Sequence, residues 1–303
     1  MEVVFDIYKS LINMNQLKLF IDLSRLNKPI GFMLLFWPCC WGLALAYNVE
    51  KDIDKFLFFL ILFFLGSVFM RSAGCIFNDI VDIEIDKKVK RTKNRPLASG
   101  KITVGRSYLY IILLCLTSLL ILIQFNKLTI ILGLVSMLFA FSYPFMKRIT
   151  YWPQLFLGLT FNWGAVMAWT SIMNYISFEI IVLYLAAIFW TLGYDTIYGA
   201  QDITDDEIIG NKSTSIKFKK NIKLFVSICY LISTALIFLL FNYEIKMNFI
   251  SILTFIFILS LIYQIKIFNR NEPNKCLLAF KINNFTGLIL FLNILGLSNG
   301  INI

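Results

Sequence analysis

Nine long apolar segments, separated by short polar stretches, set the pattern of the chain. They cover residues 29–47, 56–77, 107–125, 128–146, 153–173, 178–199, 222–242, 247–267 and 282–301. Each is about long enough to span the hydrocarbon core of a bilayer, and the runs are too long and continuous for barrel strands. Because lipid offers no partners to free backbone groups, we predict that all nine segments are helices.

The composition agrees with a membrane protein made of one bundle. Of 303 residues, 59% are hydrophobic, which is too apolar for a soluble domain. No linker, low-complexity stretch or Gly/Ser-rich break divides the chain, so we expect a single domain over 1–303. The predicted fold is all-α: a polytopic bundle of about nine transmembrane helices around a central cavity that is open to the cytoplasmic side.

The distribution of basic residues predicts the orientation of the bundle. The formal net charge is +10, and the chain has 28 lysines and arginines. If the N-terminus is cytoplasmic, all but four of these residues fall on the cytoplasmic side; the exceptions are Lys51, Lys55, Lys127 and Lys246. Basic residues collect on that side of membrane proteins, so we predict a cytoplasmic N-terminus and an external C-terminus. The charge therefore indicates membrane lipid, and not nucleic acid, as a partner.

The residue types that are missing or scarce narrow the chemistry. With 0 histidines, His-ligated zinc sites, histidine triads and histidine bases are excluded. A metal must then be held by oxygen ligands, which favours Mg²⁺ or a similar hard ion. The 6 cysteines show no C-x-x-C spacing, and we interpret them as small core residues. The N-terminal sequence is typical of neither a signal peptide nor an Arg-rich transit peptide, which favours a bacterial inner membrane.

An acidic stretch follows the second apolar segment. Asn78, Asp82 and Asp86 are spaced i, i+4 and i+8, so on a helix they share one face, and Asp79 lies beside them. The residues that follow are basic: Lys87, Lys88, Lys90, Arg91, Lys93 and Arg95. Oxygen ligands with cations just beyond suit a divalent ion that holds a phosphorylated substrate. The alternative interpretation is a solvated loop beside a membrane helix.

A second acidic stretch ends the sixth apolar segment. Asp195, Asp202 and Asp206 are spaced i, i+7 and i+11, again one face of a helix, with Tyr198 between them. Asp195 lies about two turns inside the apolar segment, where an ionisable residue is costly and indicates function. QDITDDEI (201–208) echoes NDIVDIEI (78–85) at an equivalent helix end, which indicates an internal duplication. Two such copies facing one another across a cavity would each hold one metal ion.

The remaining polar residues near the helix ends have simpler interpretations. Lys147 and Arg148 end the fourth segment at the level of the acidic stretches, where they either belong to the site or anchor the helix at the cytoplasmic surface. We interpret the polar, basic stretch 268–276 as a plain connection. Asn283 and Asn284 then open the last helix as cap residues.

Two carboxylate stripes with flanking cations inside a membrane bundle suggest that the protein activates a lipid diphosphate. Mg²⁺ ions that bridge the diphosphate neutralise its charge and make it a leaving group. Its departure from an allylic carbon leaves a carbocation, which aromatic faces stabilise, and the chain has 30 Phe, 13 Tyr and 6 Trp. A non-enzymatic transporter or lipid-binding membrane protein is the alternative from another class.

The acidic motifs resemble those of the UbiA-type intramembrane prenyltransferases. NDIVDIEID (78–86) is similar to the family's N-D-x-x-D-x-x-x-D motif, and DITDD (202–206) to its D-x-x-x-D motif. Within the family, RLNKPIGFMLLFWPCCWGL, YPFMKR and YDTIYGAQDITDDEIIGNKST resemble the 4-hydroxybenzoate polyprenyltransferases of ubiquinone synthesis most closely, and the resemblance covers essentially the whole chain. The second motif differs from its relatives, which often carry an Arg and a further Asp between its ends.

The resemblance implies an activity and a role for each site residue. The activity is Mg²⁺-dependent transfer of a polyprenyl chain from polyprenyl diphosphate to the 3-position of 4-hydroxybenzoate; naphthoate and haem are alternative acceptors. The residues expected to bind the metal ions are Asn78, Asp79, Asp82, Asp86, Asp202 and Asp206. Those expected to contact diphosphate or substrate are Arg91, Lys147, Arg148 and Tyr198. Asp195 is expected to position or deprotonate the acceptor, and Lys147 and Arg148 to assist catalysis.

Overall fold

A computed structural model describes residues 15–89, 91–241 and 249–297 of the chain. These residues form an all-helical bundle, and no strand occurs among them. Lys9, Lys90 and Lys246, which enter the predicted charge distribution, lie outside the described residues, as do positions 242, 247–248 and 298–301 of the predicted segments. The all-α prediction is confirmed, and the central cavity stays a prediction.

Nine helices in the described part of the chain are long and apolar enough to cross a membrane, judged by length and composition. We number them α1 to α9 in chain order: Ile30–Glu50, Ile53–Val81, Val104–Leu122, Lys127–Ile149, Pro153–Met173, Phe178–Gly199, Ile222–Phe241, Phe249–Ile267 and Pro273–Gly296. The number and order of helices predicted from the apolar segments are confirmed. A helix satisfies its own backbone groups, which is what a lipid environment requires of each segment.

The start of α9 differs from the prediction. The helix begins at Pro273, with proline in its first turn where a missing N–H costs little, and not near 282. Asn283 and Asn284 are therefore interior residues of α9, and the expectation that they cap it is wrong. Asn283 is 0% exposed and donates a hydrogen bond to Gln264 Oε1 of α8 at 3.0 Å. Trp37 Nε1 of α1 donates to Asn284 Oδ1 at 2.9 Å, so both asparagines join helices.

Helix α1 lies in the middle of the packing, against α2, α5 and α9. Its Trp41 is buried beside Trp190 of α6, with 5.0 Å between ring centroids, and donates to Gly287 O of α9 at 2.9 Å. Gly42 faces α5 so closely that a Cβ there would come within 2.2 Å of Ala165 O. Small residues at such contacts let backbones approach, and the resulting dispersion contacts hold membrane helices together.

Two long connections lie where α2 and α6 end. The connection from α2 to α3 starts with a short helix, Ile83–Asp86, and the one from α6 to α7 starts with a 3-10 turn, Ala200–Asp202, and a helix, Ile203–Ile209. The spacing of the acidic residues suggested that each stretch lies on one uninterrupted helix. The structure contradicts this, because each stretch is broken into separate helical pieces. The first changes direction at Asp82, whose φ and ψ are −101° and 6°, and the second at the 3-10 turn.

Candidate active site

The three aspartates of the first motif are buried at the end of α2. Asp79 and Asp82 are each 2% exposed, and Asp86 is 5% exposed. Removing a carboxylate from water is costly unless cations or hydrogen-bond donors compensate, and each of the three has a cation against it. Glu84 is not part of this group: it is exposed and accepts a hydrogen bond from Lys87, which lowers the pKa of its carboxyl group.

Two arginines neutralise Asp79 and Asp86. Arg25 Nη2 lies 2.5 Å from Asp79 Oδ1, and Arg95 Nη1 lies 3.1 Å from the same oxygen. Arg95 also reaches Asp86 Oδ2 at 2.8 Å. Burial of Arg25 lowers the pKa of its guanidinium, but the neighbouring Cys75 and Asp79 raise it above the ordinary value, so Arg25 stays charged. Sequence reasoning missed Arg25, because it precedes α1 and shares no pattern with the motif.

The end of α4 attaches to Asp82. Lys147 Nζ donates a hydrogen bond to Asp82 Oδ2, and Arg148 Nη2 lies 3.4 Å from Asp82 Oδ1. Asn78 Nδ2 also donates to Asp82 Oδ2, at 3.1 Å, and Arg148 donates to Val81 O at 2.8 Å. Lys147 and Arg148 are thus in direct contact with the first motif, while the contact with diphosphate that the resemblance implies stays a prediction.

Arg91 joins the two acidic motifs. It comes from the connection after the first motif and places Nη2 2.7 Å from Asp202 Oδ2 in the second motif. Its guanidinium carbon lies 5.8 Å from the centre of the Tyr198 ring. Asp206 accepts a hydrogen bond from Asn211 Nδ2 at 3.0 Å. The positively charged connection after α2 therefore lies over the start of the connection after α6.

A backbone contact also links α4 to the connection that contains the second motif. Lys212 N donates to Lys147 O at 2.7 Å, and Lys212 Nζ donates to Ile149 O at 3.1 Å. Since the Lys147 side chain contacts Asp82, the end of α4 contacts both the first motif and the connection that contains the second. The structure thus brings the predicted residues of the two motifs to the same end of the bundle.

A second pair of charges lies deeper in the bundle. Asp195 of α6 precedes Asp202 by two helical turns, and Arg71 of α2 precedes Asn78 by two turns, so each is about 10 Å further from the helix end. Arg71 and Asp195 are close enough for their charges to attract. The Arg71 guanidinium lies over the Phe161 ring, 5.2 Å from its centre, and its Nε is buried without a hydrogen-bond partner.

Arg71 is a second functional candidate that sequence reasoning missed. In the sequence it counted only as one of the many positive charges that predict the orientation of the bundle. Its position inside the apolar stretch 56–77 was the signal, because an ionised residue at membrane depth is costly wherever it occurs. The same argument had singled out Asp195.

The donor atoms of the two motifs fit Mg²⁺. Mg²⁺ takes oxygen ligands and is usually held by one or two carboxylates, with substrate phosphates and water completing its shell. The first motif supplies three aspartates and one asparagine, and the second supplies two aspartates at its ends, so each motif offers enough oxygen ligands for one ion. Within the described residues no three acidic or cysteine side chains stand together as a metal cluster, since the carboxylates face basic or amide side chains instead.

The fold and this site define a class of protein. A multi-pass helical bundle that carries two acidic motifs among cations at one end is suited to a lipid with a phosphorylated head. The model of the UbiA prenyltransferase family matches residues 35–292. The chain belongs to the UbiA prenyltransferase family, and the resemblance noted in the sequence is confirmed.

Several curated proteins are similar over most of the chain. A 4-hydroxybenzoate octaprenyltransferase of Psychromonas ingrahamii is 40% identical over 274 residues, covering 90% of this chain and 93% of that protein. A mitochondrial 4-hydroxybenzoate polyprenyltransferase of Arabidopsis thaliana is 47% identical over 209 residues, which are 69% of this chain. The match spans about half, 51%, of the Arabidopsis protein.

Solved structures with the same fold include two UbiA homologues. The apo structure of a UbiA homologue from Aeropyrum pernix K1 has a TM-score of 0.72 at 22% identity, and covers 88% of this chain and 98% of that one. A UbiA homologue from Archaeoglobus fulgidus, bound to GPP and Mg²⁺, has a TM-score of 0.66 at 16% identity and covers 92% and 99%. At these identities the comparisons establish the fold alone.

Proposed function

We propose that the protein transfers a polyprenyl chain from polyprenyl diphosphate to the 3-position of 4-hydroxybenzoate, releases diphosphate and serves ubiquinone biosynthesis. The names of its relatives support this activity. The main structural support is the order of the charged residues along the bundle axis. Buried carboxylates lie among cations at the helix ends, and Arg71 and Asp195 lie about 10 Å deeper in the bundle. This order suits a diphosphate head above a small acidic acceptor.

The diphosphate end of the substrate is proposed to bind at the two acidic motifs. Mg²⁺ held there would neutralise the diphosphate and make it a better leaving group. The residues proposed to hold the ions are Asn78, Asp79, Asp82 and Asp86 on one side, and Asp202 and Asp206 on the other. A carboxylate that ligates a metal ion shares less of its charge with its neighbouring cation. Arg91, Lys147 and Arg148 are then available to bind diphosphate oxygens.

The acceptor is proposed to bind at the deeper pair of charged residues, Arg71 and Asp195. The carboxylate of 4-hydroxybenzoate requires a cation inside the bundle, and Arg71 offers a buried Nε that has no partner. Asp195 is proposed to hold the phenolic hydroxyl group and to accept a proton from the acceptor. Tyr198, one turn from Asp195 and beside Arg91, would lie between the acceptor and the diphosphate. Its ring face is suited to the positive charge that develops on the prenyl carbon.

An apolar cavity provides room for the prenyl chain. It has a volume of about 430 Å³ and lies among α1 to α5. Its lining includes Leu35, Phe63, Met70, Phe125 and Trp163. Met70 is adjacent to Arg71, so the cavity begins at the level of the acceptor and leads away into the apolar part of the bundle. A polyprenyl tail is the part of the substrate that such a lining fits.

Product analysis tests the proposal. Membranes that contain the protein should convert 4-hydroxybenzoate and labelled polyprenyl diphosphate into a 3-polyprenyl product when Mg²⁺ is present, and should lose the activity when Mg²⁺ is chelated. Product only with a naphthoate or haem acceptor would move the protein to another branch of the family. Failure to release diphosphate with any acceptor would favour a transporter or lipid-binding protein. We also propose that the protein lies in a bacterial inner membrane, and the distribution of its basic residues favours a cytoplasmic N-terminus.

A further inference from the structure

A basic cleft opens at the end of the bundle that carries the acidic motifs. Its volume is about 1060 Å³, and its walls come from the start of α7, the end of α8 and the start of α9. Six cations line it: Lys219, Lys220, Lys223, Lys266, Arg270 and Lys275. No aspartate or glutamate of the described residues is part of the lining. The cleft is therefore a concentration of positive charge apart from the proposed active site.

Three of these cations, Lys219, Arg270 and Lys275, make contacts that hold the walls of the cleft in place. Lys219 Nζ lies 2.7 Å from Glu207 Oε2, and Lys275 Nζ lies 2.9 Å from Glu272 Oε1. Arg270 Nη1 donates a hydrogen bond to Lys219 O at 2.7 Å, which ties the connection before α9 to the one before α7. Because Glu207 lies on the helix Ile203–Ile209, the cleft is also attached to the second acidic motif. Its shape is thus set by contacts between separate segments.

The other three cations have no such role. Lys220, Lys223 and Lys266 are exposed, and none makes an ion pair within the part of the chain that the structure describes. Cations that share one cleft repel one another unless an anion lies between them. A phosphate group, with several strong acceptor oxygens, is the anion best suited to three separate ammonium groups.

The cleft also has an apolar side. Its uncharged lining includes Ile222, Leu224, Ile267, Phe268 and Leu278. This surface continues down the lipid-facing side of α7, where Leu231 is 70% exposed, and of α8, where Ile262 is 54% exposed. A ligand that complements both the basic side and the apolar side of the cleft has an anionic head and apolar tails.

We propose that this cleft binds an anionic phospholipid, with its phosphate among Lys220, Lys223 and Lys266 and its acyl chains along α7 and α8. Basic clusters beside membrane helices attract anionic lipid, and each basic residue near the surface strengthens binding about fivefold. The site contains none of the residues proposed to bind polyprenyl diphosphate.

Native mass spectrometry of the full-length protein tests the proposal. The protein is delipidated in detergent and titrated with dioleoyl-phosphatidylglycerol or with the zwitterionic dioleoyl-phosphatidylcholine. The cleft variant carries Lys220→Gln, Lys223→Gln and Lys266→Gln. The matched control loses the same charge from exposed lysines after α2 and carries Lys88→Gln, Lys93→Gln and Lys101→Gln. Thermal unfolding in the same detergent checks that both variants fold, and Lys223→Glu alone reverses one charge with a smaller perturbation.

The cleft variant should bind phosphatidylglycerol about a hundredfold more weakly than the unmodified protein, while the control keeps nearly full affinity. Lys223→Glu should weaken binding in the same direction. Equal losses in both triple variants would indicate general attraction to a basic surface and overturn the proposal. Displacement of the lipid by inorganic phosphate alone would overturn it in favour of a simple phosphate site, and displacement by geranyl diphosphate in favour of a substrate site.

Discussion

Replacing Arg71 by glutamine separates binding of the acceptor from binding of the diphosphate. Arg71 lies two turns before Asn78 in α2, so its side chain starts about 10 Å deeper than the first motif. Its Nε is buried without a partner, and no carboxylate of the described residues forms an ion pair with it. Asp195 attracts it from a longer distance. The guanidinium therefore has unused donors for the carboxylate of 4-hydroxybenzoate.

The size of the effect follows from the lost hydrogen bonds. A hydrogen bond to a charged group contributes about 1.5–3 kcal/mol, and about 1.4 kcal/mol corresponds to a tenfold change in binding. Arg71→Gln should therefore raise KM for 4-hydroxybenzoate by about ten- to hundredfold. KM for polyprenyl diphosphate should change little, because the residues proposed to bind diphosphate lie at the level of the motifs.

The assay uses initial rates in membranes with matched amounts of protein. The acceptor concentration is varied at a fixed, saturating concentration of labelled polyprenyl diphosphate, and then the reverse. 4-Hydroxybenzamide, which lacks the carboxylate charge, is the control acceptor, and Arg71→Gln should affect its KM far less than that of 4-hydroxybenzoate. An equal rise in KM for both acceptors would mean that Arg71 only supports the structure, and the assignment of the carboxylate would be refuted.

Three further experiments test the other assignments. Asp82→Ala and Asp202→Ala should each lower turnover by orders of magnitude, because one metal ion alone leaves the diphosphate poorly neutralised; near-normal turnover in either would contradict a two-metal site. Asp195→Asn should depress transfer while titrations show prenyl diphosphate and Mg²⁺ binding close to normal, and parallel loss of diphosphate binding would instead place Asp195 in the metal site. Reporters fused after Gly100 and after Asn211 should both be cytoplasmic, and finding them on opposite sides would separate the two motifs.

The helices were predictable from the sequence because a bilayer imposes a length and an apolar composition on every span. The same reasoning failed at the start of α9, because Asn274 and Lys275 lie in its first two turns and Lys281 follows them directly. A helix that continues beyond the hydrocarbon no longer needs apolar residues, so hydropathy does not mark where it begins. Asn283 was misread as a cap for the same reason, since its partner Gln264 lies on another helix.

The candidate site was predictable as far as local spacing reaches. Two acidic motifs with a shared pattern on equivalent helix ends indicated oxygen ligands, and the structure brings both to one end of the bundle. The pairing of Arg25 with Asp79 spans 54 positions of the chain and depends on how α1 packs beside α2. Contacts of this kind carry no periodic signal. They arise from tertiary packing, which one sequence read alone does not encode in a visible pattern.

The charge balance of the first motif connects the fold to the proposed reaction. Three buried carboxylates at one helix end would repel one another and lose hydration, so the motif requires cations whether or not a metal ion is bound. The cations come from three separate segments, which are the residues before α1, the connection after α2 and the end of α4; they are Arg25, Arg95, Lys147 and Arg148. Folding therefore gathers more positive than negative charge around the motif. Metal ions add further positive charge, which only a strongly anionic group such as diphosphate can balance.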